Sequence, residues 1–383
     1  MLQKFCAAAT MLLAATGLSL AQTQTQPLAL LTPSPVSESS PGEAPTPEPK
    51  KDKWQFTTAV DGYGQWSFQK QPMNMLTSFT KTTQGLAIGM ATMRVDHIGE
   101  HWGATVDLGF GPRAREFSYN EDGITQAIKQ AYVYYAPTDW LKLTAGTWAT
   151  HVGYEVVDAA LNKQYSMSYL FSYGPFSHTG AKAEASFGKH GFMVGLSNQT
   201  DYRNAPAGGK PYLIGQYSYA ASDDWKIYAN FVEGKRSQDS SRTYQYDLVV
   251  TGNLSAKWQW AFNASTFRFK KPNLGRSIDK SVAQNWWGVA NYLSYSASDT
   301  WLFNWRSEYF SDQDQVGATA ASTQGSNIWA NTVSAQFKKG NFMLVPEFRW
   351  DHAQKDIFYK SDGFTSTKGS GTFLIAFVYQ VQY

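Results

Sequence analysis

Trp301-Leu302-Phe303-Asn304-Trp305-Arg306-Ser307-Glu308-Tyr309 decides the reading of this chain. From Trp301 the odd positions are aromatic apart from Ser307, while Asn304, Arg306 and Glu308 occupy even positions. Alternation with a period of two describes a strand with one apolar and one polar face. The stretch from Phe342 repeats it: Leu344, Pro346, Phe348 and Trp350 oppose Glu347, Arg349 and Asp351. Working outward, a short polar turn followed by an aromatic residue and then by alternation recurs at Trp102, Trp140, Phe192, Trp225, Trp258, Trp301 and Phe342. A soluble sandwich has little reason to place an aromatic at the same end of every second strand. A transmembrane barrel does, because aromatic rings settle at the lipid–water boundary. The pattern predicts an all-β, antiparallel transmembrane barrel with these seven residues in an aromatic girdle and with a polar interior.

Turn chemistry sets the strand count. Tight turns rich in Gly, Asp, Asn, Ser or Pro fall near 99–101, 137–139, 188–191, 222–224, 254–256, 298–300 and 338–341. Longer polar loops fall near 70–83, 116–124, 153–175, 200–209, 237–241, 271–282, 312–325 and 354–368. Seven turns and eight loops join sixteen strands, or fourteen if one short pair merges. Short turns on one side and longer loops on the other predict that both termini are periplasmic. A negative mean hydropathy is compatible with this, since only alternate strand residues meet lipid. Two irregularities stand out. Leu141, Leu143 and Ala145 have the opposite parity to Trp140, so either Trp140 points inward or a bulge shifts the register. Pro346 removes a ladder hydrogen bond, and a bulge is expected there.

Lys4, an apolar run from Phe5 to Leu20 and the small residues Ser19 and Ala21 read as a signal peptide over residues 1–21. An anchoring helix is the alternative, but the run is short for a bilayer span. Cys6, the sole cysteine, lies within this segment, so the exported chain is expected to carry neither a disulfide nor a lipid on cysteine. Residues 22–53 are rich in Pro, Ser, Thr, Glu and Gln and cannot build a core; they read as a disordered periplasmic segment, either an inert leader or a tether. Residues 54–383 form the barrel in this reading. Its last strand carries Phe373, Ile375, Phe377, Tyr379, Val381 and Tyr383 on one face. That face resembles the terminal signal read by bacterial barrel-assembly machinery, with Phe377, Tyr379, Val381 and Tyr383 as its core.

By parity, Asp107, Lys182, Glu184, Lys226, Arg306, Glu308, Glu347, Arg349 and Asp351 point inward, a wall of mixed sign. Rings of one sign bias a pore toward one class of ion. A mixed wall predicts a weakly selective, water-filled passage, and charges that simply pair along the wall are the rival explanation.

Several short motifs resemble a known family: Gly146-Thr147-Trp148, Gly153-Tyr154-Glu155, Asn162, Tyr165-Ser166, Ser168, Pro175-Phe176 and His178-Thr179-Gly180, followed by Arg306-Ser307-Glu308-Tyr309 and Glu347-Phe348-Arg349-Trp350-Asp351. They look like the OmpL-like β-barrel porins, over most of the chain from Trp54 to Tyr383. The resemblance implies an outer-membrane pore, with no particular substrate. In topology the chain also resembles general sixteen-stranded porins, whose loop after the fifth strand folds inward. By that analogy the loop 153–175 carries Tyr154, Glu155, Asp158, Asn162 and Lys163 toward a constriction, with Arg306 and Arg349 as wall partners. Packing outward over the rim is the alternative.

Catalysis is not expected. Asp351-His352 and Asp96-His97 are sequence neighbours whose side chains point to opposite faces of a strand, and no nucleophile-elbow or metal-ligand spacing occurs. A formal charge of +3 with scattered basic residues gives no nucleic-acid surface. No cofactor or metal is expected; the expected partners are outer-membrane lipids, the assembly machinery and small polar solutes. Whether copies of the chain form a trimer is left open, and an adhesive or structural barrel without conductance is the alternative function.

Overall fold

The computed structural model describes residues 52–71, 74, 76–270 and 283–383. The expected signal peptide, nearly all of the proline-rich segment and the loop expected at 271–282 lie outside the described residues. The strands are β1 (Lys53–Ser67), β2 (Gly85–Ile98), β3 (Trp102–Phe110), β4 (Ile128–Thr138), β5 (Leu141–Ala149), β6 (Ser177–Phe187), β7 (His190–Ser197), β8 (Tyr212–Ala220), β9 (Trp225–Lys235), β10 (Arg242–Asn253), β11 (Trp258–Lys270), β12 (Ala283–Ser296), β13 (Trp301–Asp312), β14 (Ser326–Lys339), β15 (Phe342–Ala353), the short β16 (Phe358–Tyr359) and β17 (Ser366–Thr367), and β18 (Gly369–Gln382).

Each barrel strand pairs with its neighbours and β18 pairs with β1, giving a closed cylinder of sixteen strands; β16 and β17 form a separate hairpin in the final loop. Closure runs antiparallel from Thr57 opposite Gln382 to Ser67 opposite Thr372. It leaves no sheet edge with unpaired N–H and C=O groups, which hydrocarbon would not tolerate. The seven tight connections lie at one end and the longer ones at the other, as the turn chemistry predicts. Two short helices, α1 (Pro112–Phe117) and α2 (Tyr169–Tyr173), interrupt the loops.

The girdle aromatics lie on the outer surface: Trp102 is 62% and Phe192 48% exposed. Trp140, also exposed, stacks on Phe187 with ring centroids 5.4 Å apart. Its parity conflict has a register cause, because the β4–β5 ladder shifts between Tyr135 and Thr138. The bulge expected at Pro346 is absent. Ser334 still faces Glu347 and Phe337 still faces Leu344, so the β14–β15 ladder skips two pairs and resumes in the same register. Proline removes a donor without inserting a residue, and Pro346 keeps its pairing to Ile375 on β18.

The loop end of the bore is packed. Phe79, Phe117, Phe171 and Phe176 cluster with Met90 and Met167, and Tyr169 and Leu170 join Trp286, Phe310 and Ile328. Loop residues supply most of the first cluster, which explains the apolar content of segments that would otherwise stand in water.

Candidate functional site

The connection from β5 to β6, residues 150–176, is the longest between neighbouring barrel strands, and it folds into the bore. Its contacts are with inward-facing residues of strands all around the cylinder. Tyr165 donates its hydroxyl to Asp61 of β1 at 2.5 Å, Asp158 pairs with Lys129 of β4 at 2.5 Å, and the Gly153 N–H donates to Asp247 of β10 at 3.0 Å. The densest contact is with β13, β14 and β15.

There, carboxylates on the wall meet backbone donors on the loop. Glu308 accepts from the N–H groups of Tyr169 and Leu170 at 2.8 and 2.7 Å, and Glu347 accepts from those of Tyr165 and Ser166 at 2.8 and 3.3 Å. Glu308 thus sits at the start of α2, where unsatisfied N–H groups favour an anion. Charge runs the other way at Arg306, which bonds Glu155 at 2.5 Å and the Ser166 carbonyl at 2.8 Å. Arg349 donates to the Met167 carbonyl at 2.6 Å and pairs with Asp351 at 2.8 Å, while Asp351 also accepts from the Tyr169 hydroxyl at 2.7 Å. Gln336 donates to the carbonyls of Asn162 and Lys163. Buried charged groups persist when paired in this way.

The sequence-predicted residues fall into three sets. Arg306, Glu308 and Glu347, all at most 2% exposed, are sandwiched between loop and wall, with Arg349 and Asp351 beside them. Asp107 bonds Gln130 at 3.0 Å and pairs with Lys129 at 3.1 Å; Lys182 pairs with Glu184 at 2.9 Å. Lys226 shares its parity with the buried Tyr228 and Asn230, so it faces the bore, well away from the lattice. On the loop, Glu155 is a wall partner, Tyr154 packs against Tyr292 with tilted rings whose centroids are 4.5 Å apart, and Asn162 braces the loop itself through Val156. Asp61, Asp247 and Gln336 escaped the sequence reading, although each stands at an inward position of an alternating run. Lys338 escaped it because it was assigned to a turn, whereas β14 extends through Lys339.

Between the loop and the wall of β9 to β12 a cavity remains. Tyr154, Leu161 and Lys163 border it from the loop; Tyr228, Val249 and Tyr292 border it from the wall. Lys163 is 9% exposed and donates to the Gln259 amide oxygen at 3.0 Å. Burial, reinforced by the nearby cation of Lys338, lowers the Lys163 ammonium from the usual lysine range to about 8.

Among solved structures the fold is similar to an anion-selective porin from Comamonas acidovorans, with a TM-score of 0.59 at 9% identity, covering 86% of this chain and 100% of that one. It is equally similar to the outer membrane channel DcaP of Acinetobacter baumannii, with a TM-score of 0.59 at 10% identity and coverage of 86% and 97%. OmpT of Vibrio cholerae gives a TM-score of 0.55 at 10% identity, over 87% of this chain and 99% of that one. At these identities the likeness is one of fold. No curated protein matches the sequence. The family match rests on the sequence itself: from residue 53 to residue 381 the chain fits the beta-barrel porin-2, OmpL-like family, and it belongs to that family.

Proposed function

We propose that this protein is a diffusion channel of the bacterial outer membrane for small polar solutes and ions, in which the β5–β6 loop forms the constriction. Family membership supports the channel, and one observation carries the constriction: the loop bonds to inward-facing residues of β1, β4, β10, β13, β14 and β15 at once. A segment so held cannot swing out over the rim without breaking the whole lattice. Solutes then pass between the loop and the β9–β12 wall. A porin family gives no support to a catalytic role.

Export by residues 1–21, a periplasmic leader at 22–53 and recognition of Phe377, Tyr379, Val381 and Tyr383 by the assembly machinery complete the reading. Association with a second and third copy is part of it, since the similar OmpT of Vibrio cholerae occurs in a trimer form. The test is reconstitution into planar bilayers. Stepwise ion conductance is expected, with a larger unit step after deletion of 162–168. A folded barrel without conductance would favour an adhesive or structural role, and an unchanged step after the deletion would remove the constriction.

A further inference from the structure

The carboxylates of the bore are largely consumed by the loop lattice, whereas several lysines are not. Glu308 and Glu347 are each held by two loop N–H groups, Glu155 by Arg306, and Asp351 by Arg349. Asp247 accepts from Asn230, Asn263 and the Gly153 N–H. Near the turns that adjoin β5, β6, β9 and β14, inward lysines outnumber inward carboxylates. Lys142 and Lys182 share a single carboxylate, Glu184, at 3.0 and 2.9 Å. Lys226 and Lys338 stand at inward positions beside their turns and have no acidic partner among the described residues.

Inside this vestibule lies the cavity bordered by Lys163, whose ammonium has the neutral Gln259 amide as its single hydrogen-bond partner among the described residues. The cavity is narrow, about 60 Å³, and partly open to solvent. The wall contributes Tyr228, Asn230, Val249 and Tyr292, and the loop adds Tyr154, Leu161 and Glu155, whose carboxylate is paired with Arg306. Tyr292, 2% exposed, turns its hydroxyl toward Ser168, beside Glu155 and Arg306. One nearly buried cation facing a wall of tyrosines and aliphatic side chains, with polar groups between them, suits a ligand with a charged end and an apolar body.

We propose that this cavity is a binding subsite for small organic anions with a carboxylate head and an apolar body, fed by the lysine-lined vestibule. The proposal rests on the channel reading and narrows its substrate class. An anion entering the vestibule meets unneutralised lysines; its carboxylate then pairs with Lys163 while its body packs on the tyrosines. Low-dielectric walls focus the field of such cations, and a potential of about one kT at the constriction multiplies the anion-to-cation ratio about sevenfold.

Planar-bilayer recording under a KCl gradient, followed by addition of potassium benzoate, tests this. Wild-type protein should reverse at a potential of anionic sign, and benzoate should interrupt the chloride current. The triple variant Lys163→Gln, Lys226→Gln, Lys338→Gln should lose several-fold in anion preference, and Lys163→Gln alone should weaken the benzoate block. Glutamine keeps a polar end near Gln259, and an unheated gel shift checks that each variant folds. A conducting wild type with no preference, or with cation preference, overturns the proposal and leaves the channel standing; so does a benzoate block unchanged in Lys163→Gln. Absence of conductance overturns the channel reading instead. Calorimetry of benzoate with detergent-solubilised protein then decides the subsite: binding in wild type that is lost in Lys163→Gln supports it, and no binding, or binding retained in the variant, overturns it.

Discussion

Replacing Arg306 by methionine should loosen the loop without dismantling the barrel. The guanidinium is fully buried and holds Glu155 at 2.5 Å, the Ser166 carbonyl at 2.8 Å and the Thr332 hydroxyl at 3.1 Å. Methionine fills much of the same volume but leaves the Glu155 carboxylate facing the wall without its cation. Breaking a buried pair from one side costs about 3–5 kcal/mol, which lowers the ratio of docked to undocked loop by roughly a hundred- to a few-thousandfold. Not all of the grip disappears. Glu308 and Glu347 on the wall keep their backbone donors on the loop, and the bonds from the Ser168 N–H and hydroxyl to Glu155 persist within the loop. The docked state should therefore remain the majority, interrupted by brief visits to a wider pore. Single-channel recording should resolve these as transient steps above the wild-type level. A folded variant whose current is as steady as wild type, at the same level, would refute the idea that this ion pair restrains the loop.

A methyl group at Gly89 would occupy the position of the Asp61 carboxylate and come within 2.5 Å of the Tyr165 hydroxyl, so Gly89→Ala should break the Tyr165–Asp61 bond and add current noise; quiet channels would count against that lock. Because Lys163 is lowered to about 8, its charge is held below that pH and lost above it. Anion preference should accordingly fall between pH 7 and pH 9 in wild type but not in Lys163→Gln, and parallel pH profiles would disprove the assignment. Leu248 faces outward on β10, and Leu248→Lys should cost about 2–4 kcal/mol in a urea titration of the barrel in lipid vesicles. A change within error would mean that this face does not contact hydrocarbon.

The local chemistry of strands and turns made much of this architecture readable in one dimension. Alternation at Trp301–Tyr309 and its repeats told the faces of the strands apart, and Gly-, Asp- and Ser-rich turns counted them, because both signals act between residues adjacent in the chain. The same parity placed Arg306, Glu308, Glu347, Arg349 and Asp351 on the inner face. It failed at Trp140, where a register shift in the β4–β5 ladder intervenes, and at Lys338, where a strand runs further than its turn-like composition suggests. For Pro346 it suggested a bulge, whereas a missing donor alone was accommodated.

Partnership lay beyond such signals. Glu308 meets the N–H groups of Tyr169 and Leu170 across 139 and 138 residues of chain, and Glu347 meets that of Tyr165 across 182. Period and composition carry no information about which loop amides converge on which carboxylate. The alternating pattern by itself determined a closed sheet with an apolar outside and a polar inside, since hydrocarbon and water impose that division residue by residue. Only the tertiary structure decided that the β5–β6 loop lies within the bore and brings its backbone N–H groups to Glu308 and Glu347, because that outcome depends on bonds closed between distant segments.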